Sequence, residues 1–152
     1  MTIFNILVSP TSRGSVILSS NNPLDDLVIN PNLLSTELDQ ETMFACLKLT
    51  NQALTGSVGQ SYGSEEFGID EGIQNDMSTE AVKKRIQKTL FTPFHPSGTC
   101  AMGTVVDAEC KLLGVKDLRV VDASIFPFPL AAHYQAPVYA IAEQVSICYR
   151  HF

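Results

Sequence analysis

Apolar positions in the first part of the chain come as short runs. Further on they recur at helical spacing. Residues 3–8 and 14–18 are β-branched-rich runs parted by Ser9-Pro10-Thr11-Ser12-Arg13, which predicts two strands with a turn between them. Asn21-Asn22-Pro23 and Asn30-Pro31-Asn32 are breaks, with residues 25–29 extended between them. Met43, Phe44, Leu47 and Leu54 then form an apolar stripe, which predicts a helix over 39–54. Asp39 serves as its N-cap, Glu41 suits its first turn and Gly56 stops it. Residues 55–77 are rich in Gly, Ser, Asn and acidic groups and read as an irregular surface loop. Ser78 caps a second helix over 78–90, in which Val82, Ile86 and Leu90 recur every fourth residue. Pro93, Pro96 and Gly98 keep 91–102 out of a helix, and 118–122 reads as a short buried strand. Pro137, as the first helical residue, opens a last helix over 137–150 with Val138, Ile141, Ala142 and Val145 on its apolar face. Residues 149–152 are expected to be its frayed end.

Composition narrows the class. A length of 152 residues fits one domain, and 45% hydrophobic content is enough to bury a core. A formal net charge of −6 removes long-range attraction to nucleic acid or an anionic membrane, so neither is expected as a partner. No apolar run approaches the ~20 residues that span a bilayer. Residues 1–10 lack a basic stretch ahead of an apolar one, so they do not read as a secretory signal; they read as the interior of a longer protein. The four cysteines form no CxxC pair and histidines number three, so no metal site is expected. Buried free thiols are favoured over a disulfide.

Two histidines stand in unusual local settings. In Phe94-His95-Pro96-Ser97-Gly98-Thr99, the proline biases His95 toward extended backbone and Gly98 permits close approach of something bulky. An imidazole titrates near neutrality, which suits acid–base work. His133 follows small residues and precedes a helix start, whose N–H groups favour an anionic or electron-rich ligand. The strand leading to Asp122 ends in Ala123-Ser124, small enough to approach a cofactor. From spacing alone two readings stand: structural histidines beside a core strand with a capping carboxylate, or an acid–base pair assembled by the fold.

Three segments then resemble one family. Residues 94–102, FHPSGTCAM, resemble the active-site histidine motif of the glucose–methanol–choline (GMC) flavin oxidoreductases. Residues 114–127, GVKDLRVVDASIFP, resemble the segment that follows it. Residues 131–143, AAHYQAPVYAIAE, resemble the segment bearing the second active-site residue, in the version with histidine rather than asparagine. The opening Pro10-Thr11-Ser12-Arg13-Gly14, Asn22-Pro23 and Asn30-Pro31 resemble the start of the substrate-domain portion. The style is nearest the aryl-alcohol oxidase and sugar-oxidising branches.

The resemblance implies an α+β fold that is the C-terminal part of such an enzyme, incomplete as a stand-alone domain. Residues 1–93 would be mainly substrate-domain sheet and helices, and 94–152 the active-site and FAD-contacting segment. It implies oxidation of a small-molecule alcohol to a carbonyl with FAD as acceptor. His95 would be the base and His133 its partner. Asp122 and Ala123 would lie along the phosphate–ribitol region of FAD, and Phe94, Tyr134, Gln135 and Pro137 near its ring. One feature departs from the family. No Gly-x-Gly-x-x-Gly pyrophosphate turn occurs in the sequence, so a preceding FAD-binding portion is the expected partner and the isolated chain is expected to be inactive. The alternative is a non-catalytic truncated paralogue or interaction module that binds no FAD. A metal-dependent hydrolase finds no HExxH spacing.

Overall fold

Thr36 opens the first helix in this computed structural model, which describes residues 3–63, 76–131 and 133–149. The Thr36 hydroxyl accepts from the Asp39 N–H at 3.4 Å, and α1 runs over Glu37–Thr55. The expected start at Asp39 is thus corrected by three residues. Asp39 sits in the first turn instead, only 2% exposed, so burial leaves the capping role to the hydroxyl before it. Gly56 ends α1 as expected, its N–H bonding the Gln52 carbonyl at 2.9 Å. The expected loop after it begins with a second helix, α2 (Ser57–Ser61), and residues 64–75 lie outside the described residues. Helix α3 (Thr79–Thr89) is capped by the Ser78 hydroxyl, which accepts from Ala81 N–H at 3.3 Å. The Asp76 carboxylate accepts from the Ser78 N–H at 2.8 Å. That backbone bond, and then the Ser78 side chain, hold the exposed Asp76 carboxyl below its ordinary 3.8.

Two compact units divide the chain. The first joins described residues of 1–7 and 34–93. In it α1 packs against α2 and α3, with Met43 and the fully buried Val82 as apolar filling. Residues 3–8 form no strand, a correction to the strand expected from their β-branched-rich run. A strand needs a ladder partner, and here the segment is held by side chains. The Thr50 hydroxyl donates to Asn5 Oδ1 at 2.8 Å, and the rings of Phe4 and Phe91 meet edge to face at 5.8 Å.

The second unit joins described residues of 8–33 and 94–152. Its antiparallel hairpin pairs β1 (Ser15–Ile17) with β2 (Val28–Asn30) in the register Ser15↔Asn30, Val16↔Ile29 and Ile17↔Val28. A Cβ on Gly14 would run into the Asn30 carbonyl, so glycine lets the strands close there. Asn22 and Asp25 hold the connection, with Asn22 Nδ2 donating to Asp25 Oδ1 at 2.8 Å. The core is Val106, Cys110 and Ile125, enclosed by residues that include Leu112, Val120, Ile141 and Val145. The expected strand over 118–122 is corrected: only Arg119 forms a bridge, with Lys111. Positive φ at Cys110, Gly114 and Asp117 (63°, 79° and 59°) bends the chain on both sides and breaks a ladder into single bridges. A 3₁₀ turn at Ala123–Ile125 follows, capped by Asp122 Oδ1 accepting from Ser124 N–H at 2.7 Å.

Helix α4 runs over Gln135–Tyr149, so Pro137 is its third residue rather than its first. The correction costs nothing structurally, because the third N–H of a helix also lacks an intrahelical acceptor. The architecture is mixed helix and small sheet. Among the described residues no helix is long and apolar enough to cross a membrane. Cys46, Cys100 and Cys110 stand outside any disulfide; Cys110 is buried as expected, whereas Cys46 and Cys100 are only half-buried.

Candidate active site

His95 is carried by an extended segment docked onto the 3₁₀ turn. Cys100 N–H bonds the Ser124 carbonyl at 2.9 Å, and Met102 N–H bonds the Ile125 carbonyl at 2.8 Å. Gly98 is required by its φ of +84° rather than by space, since a Cβ there would lie at an ordinary 3.4 Å from the Phe126 carbonyl oxygen. Just before His95, Phe94 adopts a left-handed backbone at φ +61° and leaves its ring 78% exposed. For a bulky residue that conformation is a genuine outlier, the kind that tertiary contacts must hold in place.

His133 lies just before α4 and is exposed, while His95 is half-buried. Their rings meet. His133 Nδ1 and His95 Nε2 are 2.9 Å apart, with centroids at 4.9 Å and planes tilted by 45°. At that distance one nitrogen donates and the other accepts, so the pair holds a proton between two rings. A substrate oxygen that displaces this direct bond and inserts between the rings would reach both, ~2.6–3.2 Å from each nitrogen.

Tyr134 turns the opposite way from its neighbour. Its ring is 8% exposed and stands edge-on to His95 at 5.2 Å and to Phe126 at 5.3 Å. Its hydroxyl accepts from Leu130 N–H at 3.3 Å and lies 3.2 Å from the Ser97 hydroxyl. The Tyr134 carbonyl accepts the Val138 N–H at 2.9 Å, starting the α4 ladder.

The residues singled out in the sequence therefore fall into three places. His95, His133 and Tyr134 are in ring contact, and Phe94 adjoins them in the chain. Gln135 and Pro137 open α4, Gln135 exposed and Pro137 half-buried. Asp122 and Ala123 cap and begin the turn on which the His95 segment is docked. Sequence reasoning gave no role to Ser97, Leu130 or Phe126. Ser97 stands within the quoted histidine motif, but its hydroxyl partner lies far along the chain. Among the described residues no group of three or more side chains is arranged to hold a metal.

Comparison with known proteins bears on most of both units. A family model described as GMC oxidoreductase matches residues 10–142. Human mitochondrial choline dehydrogenase is 38% identical over 142 residues, covering 90% of this chain and 23% of that protein. The GMC-type oxidoreductase acuG of Aspergillus aculeatus is 37% identical, covering 93% of this chain and 27% of its own length. Pyridoxine 4-oxidase from Mesorbium loti superposes with a TM-score of 0.80 at 35% identity, covering 95% of this chain and 28% of that one. A fungal aryl-alcohol oxidase superposes at 0.74 with 29% identity, covering 91% of this chain and 23% of that one. The chain spans about a quarter of the length of these relatives. Likeness to aryl-alcohol oxidase is thus real but accompanied by higher identity to choline dehydrogenase and pyridoxine 4-oxidase. Matched along nearly all its length by sequence and by fold, the chain belongs to the GMC oxidoreductases and corresponds to their C-terminal portion.

Proposed function

We propose that this chain supplies the acid–base half of an FAD-dependent alcohol oxidation, acting as the C-terminal part of a longer enzyme. The observation that carries the reading is the 2.9 Å approach of His95 Nε2 and His133 Nδ1 on an accessible surface. A substrate hydroxyl inserted between those two nitrogens, in place of their direct bond, gives its proton to His95, while His133 hydrogen-bonds the oxygen. The carbinol C–H bond then breaks with its electron pair, and the carbon becomes a carbonyl. FAD, when bound, supplies the acceptor for that hydride. Loss of a hydride is easier from an oxygen already relieved of its proton, and a positioned base typically contributes ~10²–10⁴-fold.

The residues present fit one side of such a cofactor. The exposed Phe94 ring offers an apolar platform beside His95. Gln135 and Ala136, both exposed, open the first turn of α4, where N–H groups lack intrahelical acceptors and favour an electron-rich edge. The phosphates find no glycine-rich turn in this sequence, so their holder belongs to the preceding portion of the family fold. Choline, pyridoxine and aryl alcohols, named in the relatives, share the CH–OH group this chemistry needs.

In the full-length flavoenzyme, His95→Ala and His133→Ala should each slow flavin reduction by alcohol by ~10²–10⁴-fold while FAD stays bound. Anaerobic stopped-flow absorbance measures this, and near wild-type reduction in either variant would overturn the assignment. A second reading, a non-catalytic module that binds no FAD, predicts that the full-length product incubated with FAD and then freed of unbound cofactor stays colourless near 450 nm.

A further inference from the structure

The geometry points to Tyr134 as the positioning residue that sets the distance between the two histidines. The inference rests on the acid–base reading of the pair. One side chain touches all the segments involved. Its hydroxyl joins Ser97, two residues past His95, to Leu130 N–H, three residues before His133. Because the Leu130 N–H donates to it, the phenol oxygen still has its own proton for Ser97 Oγ, and one hydroxyl satisfies both neighbours. The ring braces the inner side of His95 at 5.2 Å and is backed by Phe126 at 5.3 Å. The Tyr134 carbonyl begins α4, so the same residue ties His133 to the helix. His133 by contrast is exposed. Its ring can hold a 2.9 Å approach to His95 only if the backbone that follows it is held, and Tyr134, whose carbonyl begins α4, holds it. The residue touches no reacting atom in this arrangement; it acts through the two imidazoles.

The test uses the full-length holoenzyme with ¹⁵N-histidine labelling. The imidazole N–H resonance of the His95–His133 bond is assigned by its loss in His133→Ala. In Tyr134→Phe, which keeps the ring and removes the hydroxyl, that resonance should broaden or vanish while FAD stays bound. The limiting rate constant for flavin reduction should fall about tenfold, the loss expected of one hydrogen bond. Choline, pyridoxine and p-anisyl alcohol serve as probes, with the fastest one used. Tyr134→Leu, which also removes the brace, should cost ~100-fold, as misplacement by about 1 Å does. Apparent alcohol affinity should change far less than the rate constant. A residue of purely structural importance would lower the melting temperature and leave both the resonance and the per-flavin rate unchanged. That outcome in Tyr134→Phe overturns the proposal, and this variant decides the matter if Tyr134→Leu fails to fold. If no probe reduces the wild-type flavin, the acid–base reading falls, and positioning is judged by the resonance alone.

Discussion

Phe94 holds a left-handed backbone next to the histidine pair, and a side chain there costs about 1–2 kcal/mol relative to glycine. Its exposed ring returns little burial energy to offset that cost. Two substitutions separate the terms. Phe94→Ala removes the ring and keeps the strain, whereas Phe94→Gly removes both and adds only the entropy of a freer unfolded chain, about 0.5–1 kcal/mol. Phe94→Gly should therefore melt above Phe94→Ala in the full-length protein, as scanning calorimetry would read. Equal melting, or the reverse order, would mean that the positive φ is not kept in solution. At this scale the sequence spoke unevenly. His95 and His133 were legible because Pro96, Gly98 and the helix start mark them locally. The inward turn of Tyr134 was not, because whether a residue at a bend faces core or solvent depends on Phe126 and Ser97, which only folding brings near.

Helices were legible where two local signals agreed. For α3, Ser78 and the Val82–Ile86 spacing fixed the start and the buried face together. For α1, Thr36 and Asp39 are both good caps, and the choice fell to the burial of Asp39, a tertiary effect. The run at 118–122 shows the opposite failure. Its apolar, valine-bearing make-up is that of a buried strand, but the residues that prevent a ladder, Cys110 and Asp117, lie outside it. Helix α2 was hidden because its residues are those of a loop; the corner is made by close approach. A Cβ on the buried Gly59 would run into the Leu54 and Ala53 carbonyls at the end of α1. Gly59→Ala should thus destabilise the α1–α2 corner by about 1–3 kcal/mol, an overpacking cost. Gln60→Ala on the exposed neighbour should stay within about 0.5 kcal/mol. Paired thermal melts measure both, and a Gly59→Ala protein as stable as Gln60→Ala would show that the corner has room.

The hairpin matters most at the level of the whole molecule. Val16 pairs with Ile29 and Ile17 with Val28, and successive pairs face opposite sides of the ribbon, so both of its faces are apolar. All four side chains are exposed, as are Leu18 and Leu24, the last by 89%. Such a pattern suits a strand pair covered on both sides, and among the described residues nothing covers it. Each strand also pairs only with the other there, which leaves an outer row of backbone donors and acceptors on each side. A ribbon of this kind is a template. The first object to complete it in a concentrated solution of the 152-residue chain is another copy of itself. Sedimentation over a dilution series should show association that grows with concentration, and Ile17→Lys combined with Ile29→Lys should suppress it by placing like charges where strands would meet. A monodisperse monomer with a sharp cooperative melt would count against this. The same openness that makes the chain a poor solitary protein would make it a ready acceptor. Supplied in trans with the preceding portion of its family's fold, it should be drawn out of self-association and into complementation.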